Sequence, residues 1–104
     1  MITITQGDSL GQDIFCEDFT DLEVFDENWE GVWGIVTSIG QPPILTGTHT
    51  FSADRKWMYM RITPEQTNTL LKGKYFLVTR VSNPAIQFSE QIQKEGLTVE
   101  QRGI

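Results

Sequence analysis

Residues 61–81 read RITPEQTNTLLKGKYFLVTRV, and the change of period inside this stretch decides the fold. Its end, Tyr75 to Val81, alternates, with Tyr75, Leu77, Thr79 and Val81 on one side, the mark of a strand with one buried face. Before it, Thr63-Pro64-Glu65-Gln66 offers an N-cap threonine, a proline at the first helical position and a glutamine at the capping-box position. These residues predict one short helical turn near residues 64–71, which Gly73 stops. Immediately upstream, KWMYMRI (56–62) alternates again and sets Met58, Met60 and Ile62 against Trp57, Tyr59 and Arg61. One of those two faces is core and the other lies outside.

Working outward, Ile2 to Thr5 alternates until Gly7-Asp8-Ser9 breaks the pattern, and Gln12 to Phe19 reads as a second extended piece. NWEGVWGIV (28–36) places Trp29, Gly31, Trp33 and Ile35 on one face. A turn at 40–43 precedes Ile44 to Phe51. Asn83-Pro84 turns the chain into a final strand or pair of strands running from Ile86 through Leu97 and Val99. About seven strands, with turn signals every eight to twelve residues, predict an all-β, immunoglobulin-like β-sandwich of antiparallel strands, one domain over residues 1–104. Two details favour the immunoglobulin-like form. Tyr75 stands after a turn and two residues before the inward Leu77, the layout of a tyrosine corner, with Leu77 where an antibody domain has its second cysteine. Trp33 is the bulky core residue of an early central strand.

Composition narrows the function. The net charge of −6 argues against nucleic acid as a partner, which requires a basic stripe to displace counterions from phosphates. No apolar run is long enough for a membrane span, and the start MITITQGD lacks the pattern of a signal peptide. Cys16 is the single cysteine, so no internal disulfide forms, and it reads as a small buried hydrophobe. Residues 1–54 hold ten acidic and no basic side chains, whereas residues 55–104 hold eight basic and four acidic. If that asymmetry survives folding, one copy's basic face meets the next copy's acidic face in a ring or array. If strands from both halves interleave, it disperses.

Two motifs invite a catalytic or metal reading. Gly7-Asp8-Ser9-Leu10 spells the signature of a family of serine esterases, but a serine nucleophile needs a histidine base and an acid to orient it. The one histidine, His49, lies mid-chain in a strand-like segment with Thr46 three residues before it, where those hydrolases place an aspartate. We therefore read the motif as a polar turn and expect no catalytic residue and no cofactor. The acidic residues Glu17, Asp18, Asp21, Glu23, Asp26, Glu27 and Glu30 do not match the spacing of a calcium loop, and a solvated edge without metal is expected.

The order ITQGD near the start, then RITPEQTNTLLKGKYFLVTRVSN and a closing LTVEQ, resembles a group of small structural proteins of tailed bacteriophages. Those proteins open with an I-T-x-G-D turn and carry L-T-x-x-Q-T-x-x-L-x-x-G-x-Y ahead of a strand. Ile62-Thr63, Gln66-Thr67, Leu70, Gly73 and Tyr75 match the second element. The chain departs from the pattern at DLEVFDENWEG (21–31), where relatives carry an uncharged turn. The resemblance implies an immunoglobulin-like virion part of head, neck, tail or baseplate, assembled in the host cytoplasm and bound to other virion proteins or to copies of itself. The contact residues expected are Trp57, Tyr59 and Arg61 on the outward face. At the termini, Ile2, Ile4 and Arg102 are expected on strands able to extend a partner's sheet. The alternative is a carbohydrate- or cell-surface-binding module in which exposed Trp29, Trp57 or Tyr59 stacks on sugar rings.

Overall fold

The alternation in residues 57–62 is realised as a strand whose inner side is wholly committed. In the computed structural model, which describes residues 1–19 and 24–103, Met58, Met60 and Ile62 are 0%, 0% and 1% exposed. Side chains of this size each contribute about 1.5–3 kcal/mol when buried, so the face assignment is strongly enforced. The strands are β1 (Ile2–Thr5), β2 (Leu10–Phe15), β3 (Glu30–Val36), β4 (Leu45–Thr48), β5 (Thr50–Phe51), β6 (Trp57–Ile62), β7 (Gly73–Asn83) and β8 (Phe88–Glu100). Helix α1 spans Cys16–Phe19, helix α2 spans Pro64–Asn68, and a 3-10 turn spans Pro84–Ile86.

The strands form two sheets of an all-β sandwich, ordered β1-β8-β7-β3-β4 and β2-β6-β5. The β2-β6-β5 and β8-β7-β3 orders are those of the two sheets of an immunoglobulin-type domain. All pairings are antiparallel except β1 with β8, which is parallel from Ile2 opposite Leu97 to Thr5 opposite Glu100. Both sheets draw strands from both halves of the chain.

Inward residues of the two sheets make a core in two parts. Trp33, Ile35, Met60, Ile62, Leu70, Leu77, Leu97 and Val99 fill one, and Cys16, Phe25, Trp29, Met58 and Val81 fill the other. The Trp33 indole lies flat over Gly47, where a Cβ would come within 2.6 Å of three ring atoms. A glycine is required there by that close approach.

One expectation is corrected and one open alternative is decided. Residues 16–19, expected to be extended, are helical, because the Cys16 amide still bonds the Lys56 carbonyl (2.8 Å) but the chain then curls away from the sheet. The final segment is one long strand, and its register against β7 slips between Thr79 and Arg80, leaving Ile92 as an extra residue in a β-bulge.

The sandwich end that holds α2 is tied by side-chain hydrogen bonds. Thr63 accepts from the Gln66 amide while the Gln66 side chain accepts from the Thr63 amide, completing the capping box. Tyr75 Oη donates to the Leu71 carbonyl (2.6 Å), as a tyrosine corner does. The fully buried Thr67 reaches further: its Oγ1 accepts from the Gly7 amide (3.1 Å) and donates to the Asp8 carbonyl (2.6 Å). Gln6 Nε2 adds a bond to the Leu70 carbonyl (2.7 Å). The ITQGD turn and the Q-T-x-x-L helix are thus one hydrogen-bonded unit.

Replacing Thr67 by Val keeps the shape but removes the partner of the half-buried Gly7 amide and of the Asp8 carbonyl, so T67V is expected to lose about 1–2 kcal/mol in urea unfolding. T67S restores most of it. Tyr75→Phe, which strips one donor from a carbonyl near solvent, loses only about 1 kcal/mol.

Candidate functional site

The outer face of the three-stranded sheet carries a row of aromatic and charged side chains. Antiparallel register sets Phe15 opposite Trp57, Asp13 opposite Tyr59 and Gly11 opposite Arg61, so odd-numbered residues of both strands share this side. Phe15 and Trp57 pack with ring centroids 4.8 Å apart at 47°, and Trp57 remains 38% exposed. The Arg61 guanidinium lies across Gly11, pairs with Asp13 (3.0 Å) and stands 5.6 Å from the centre of the Tyr59 ring. The ion pair is solvent-exposed and contributes no more than about 1 kcal/mol. Its role is to orient the guanidinium beside the aromatic rings.

The turn before β6 fixes where Trp57 begins. Ser52 Oγ donates to Asp54 (2.6 Å) and accepts from the Trp57 amide (3.1 Å), and Asp54 also accepts from the Lys56 amide (3.0 Å). These bonds favour the charged carboxylate and hold the Asp54 pKa below its ordinary value, with the Ser52 hydroxyl the main cause. Arg55 sits in the left-handed region (φ 57°), where it donates to the carbonyls of Phe25 and Asp26 and stacks 4.3 Å over Phe51. That clasp pins the stretch leading into β3 against the turn that presents Trp57.

The expected contact residues do not all gather. Trp57, Tyr59 and Arg61 share one face, to which Asp13 and Phe15 are added from β2. Ile4 is instead a core residue, packed inward opposite Val99, and Ile2 is half-buried against the same core. Neither side chain is displayed to a partner. Arg102 lies past β8, where its amide donates to Gln6 (3.2 Å), away from the β6 face. The β1 edge is also closed at Thr5, whose amide donates to the Asp8 carboxylate (2.9 Å) and whose carbonyl accepts from the Asp8 amide (2.9 Å). Trp29, a stacking candidate in the carbohydrate reading, is buried at 3% exposure.

Ser9 and His49 form no dyad. Ser9 sits in the exposed turn between β1 and β2, whereas His49 is buried where the chain crosses from β4 to β5, and neither of its ring nitrogens has a hydrogen-bond partner. Among the described residues, no three His, Cys, Asp or Glu side chains converge for a metal ion, and Asp21 and Glu23 lie outside those residues. Among the described residues, no helix is long and apolar enough to cross a membrane. No protein-family model matches the chain, and no curated protein matches it.

Asp13 and Phe15 were missed from sequence because membership in the face depends on a pairing between residues more than forty positions apart. The local signal was present in LGQDIF, where Gly11, Asp13 and Phe15 alternate with Gln12 and Ile14.

His49 gives this region a pH dependence. Its ring lies against Gly31, beside which the Met58 sulfur also packs, and burial lowers its pKa below the ordinary value, with the Gly31 backbone opposing the shift in part. The unfolded chain therefore takes up the proton first as pH falls. The stability is fully present above about pH 6.5 and declines below it until the folded pKa is reached. The unfolding midpoint of the native chain should fall between about pH 7.5 and 5.5 more steeply than that of His49→Leu. Parallel slopes for the two proteins would refute this account of the ring.

Proposed function

We propose that this protein is a non-enzymatic structural component of a tailed-phage virion, which docks other virion proteins through the outer face of its small sheet. The observation that carries the reading is the row Phe15, Trp57, Tyr59 and Arg61 on the outside of a strand whose inner side is spent on the core. Aromatic residues and arginine are the side chains enriched at the energetic centres of protein interfaces, because they bury large areas at low entropic cost. The rest of the reading comes from the two turn-and-helix motifs shared with small phage structural proteins. Their joining through Thr67 supports treating them as a single fold element, and the place of action is then the virion.

A second reading has one observation in its favour. Trp57 and Tyr59 lie together on the outer face, as a sugar-stacking platform requires. Against it, the Arg61 guanidinium stands near the Tyr59 ring and Trp57 is tilted against Phe15, so no two ring faces form a flat shelf.

Light scattering of the purified chain, alone and mixed with disassembled virion proteins from the source particle, tests the first reading. The expected outcome is a shift to a large complex. Trp57→Ala should stay folded, losing about 1 kcal/mol with its Phe15 contact, yet weaken complex formation by at least about tenfold. Indifference to virion proteins together with retention on a glycan array would transfer the assignment to the carbohydrate-binding reading.

A further inference from the structure

We propose that the open edge of β2 is a docking slot for an extended strand of a different protein, one that alternates apolar with basic residues. The proposal rests on the reading that this domain docks other proteins, and it names the chemistry of the docked segment.

The register fixes which backbone groups are on offer. β2 pairs with β6 from Leu10 opposite Ile62 to Phe15 opposite Trp57, and the Cys16 amide continues the ladder to the Lys56 carbonyl. Even-numbered residues of β2 therefore turn their N–H and C=O toward β6. Gly11, Asp13 and Phe15 turn theirs outward, at a spacing of roughly 7 Å. The Phe15 carbonyl opens α1, which leaves the Phe15 amide and both backbone groups of Gly11 and Asp13. Among the described residues, nothing bonds them.

The remaining edges are short or guarded. β4 and β5 offer four and two residues. β1 is closed at Thr5 by Asp8, and the stretch of β8 that β1 leaves uncovered is bent by the bulge at Ile92. A bulge and a side chain folded onto the edge are both devices that stop strand addition. β2 is six residues long with an unbroken register and neither device.

A cleft of about 400 Å³ runs beside this edge, between β2 and β8. Ile14, Phe15 and Ile92 give it apolar walls, and Gln12 Oε1, buried without a hydrogen-bond partner, supplies an unused acceptor. Its charged lining is Asp13 and Asp18, with no basic side chain. An incoming strand places apolar side chains on Ile14 and Ile92, and a Lys or Arg beside the carboxylates.

A second copy fits poorly. Pairing two β2 edges in full overlap about a twofold axis, with the outward-facing residues opposed, sets Asp13 against Asp13, and like charges directly opposite destabilise a sheet. Each chain also carries a net charge of −6.

The test uses the full isotope-labelled chain and two short synthetic peptides, one alternating Lys with Val and one alternating Glu with Val. The Lys–Val peptide should slow hydrogen exchange at the Gly11, Asp13 and Phe15 amides at least about tenfold, with Gln12 and Ile14 unchanged. Gly11→Pro removes one outward amide and no ladder bond; its ring pushes aside the flexible Arg61 side chain, so it should stay folded with a modestly lowered midpoint and lose most of the protection at Asp13 and Phe15. Asp18→Lys, on the exposed surface of α1, should weaken the Lys–Val peptide several-fold. Equal protection by the Glu–Val peptide, no protection by either, or protection without peptide in a chain that scatters as a dimer would each overturn the proposal. Should W57A lose virion assembly while the edge amides ignore the peptide, the slot fails and the outer-face reading stands. If the peptide docks as described and no virion protein binds, the slot stands and the virion reading fails.

Discussion

The buried hydroxyl of Thr67 is the constraint on which this end of the sandwich depends. It accepts from Gly7 and donates to Asp8, which fixes the turn leaving β1, and it belongs to the helix that leads into β7. That turn decides where β1 ends and β2 begins, and β1 and β2 lie in different sheets. One side chain thus sets how the first strand is handed from one layer to the other. The Gln6 bond to Leu70 and the Arg102 amide bond to Gln6 extend the same tie to the chain beyond β8.

The outer face of the small sheet is a by-product of that economy. A three-stranded sheet has just one long central strand, and β6 devotes every second residue to the core. Its other residues have no partner layer, so aromatic side chains there are covered only by neighbours on the same face. Phe15 covers part of Trp57 and Arg61 approaches Tyr59. What remains exposed is a polar-rimmed aromatic row, held from below by a rigid core and at one end by the turn around Ser52, Asp54 and Arg55.

Features carried by neighbouring residues were readable before any coordinates. The alternation of β6 and β7, the capping box at Thr63 and the tyrosine corner at Tyr75 all depend on residues within a few positions of each other, and each is found as expected. What escaped depends on distant pairing. The parallel alignment of β1 with β8 has no local signature, and the bulge at Ile92 arises only from the mismatch with β7. Residues 16–19 extend the β2 segment in sequence, but CEDF carries no alternation, and past the Cys16 bond to Lys56 the chain coils. Ile4 was read as an edge residue because it is terminal, whereas its register opposite Val99 commits it to the core.

The Asp8 clamp on Thr5 bears on stoichiometry. A sandwich with accessible edges on opposite flanks has a valence of two for strand addition, and molecules with that valence propagate into fibres. By occupying both the amide and the carbonyl of Thr5, Asp8 guards one end of the β1 flank. With the bulge in β8 bending the stretch beyond β1, β2 is left among the described residues as the longest unguarded edge, beside the four-residue β4 and the two-residue β5. Any growth along its sheets would start from that single long edge, which limits the tendency of the molecule to polymerise on itself.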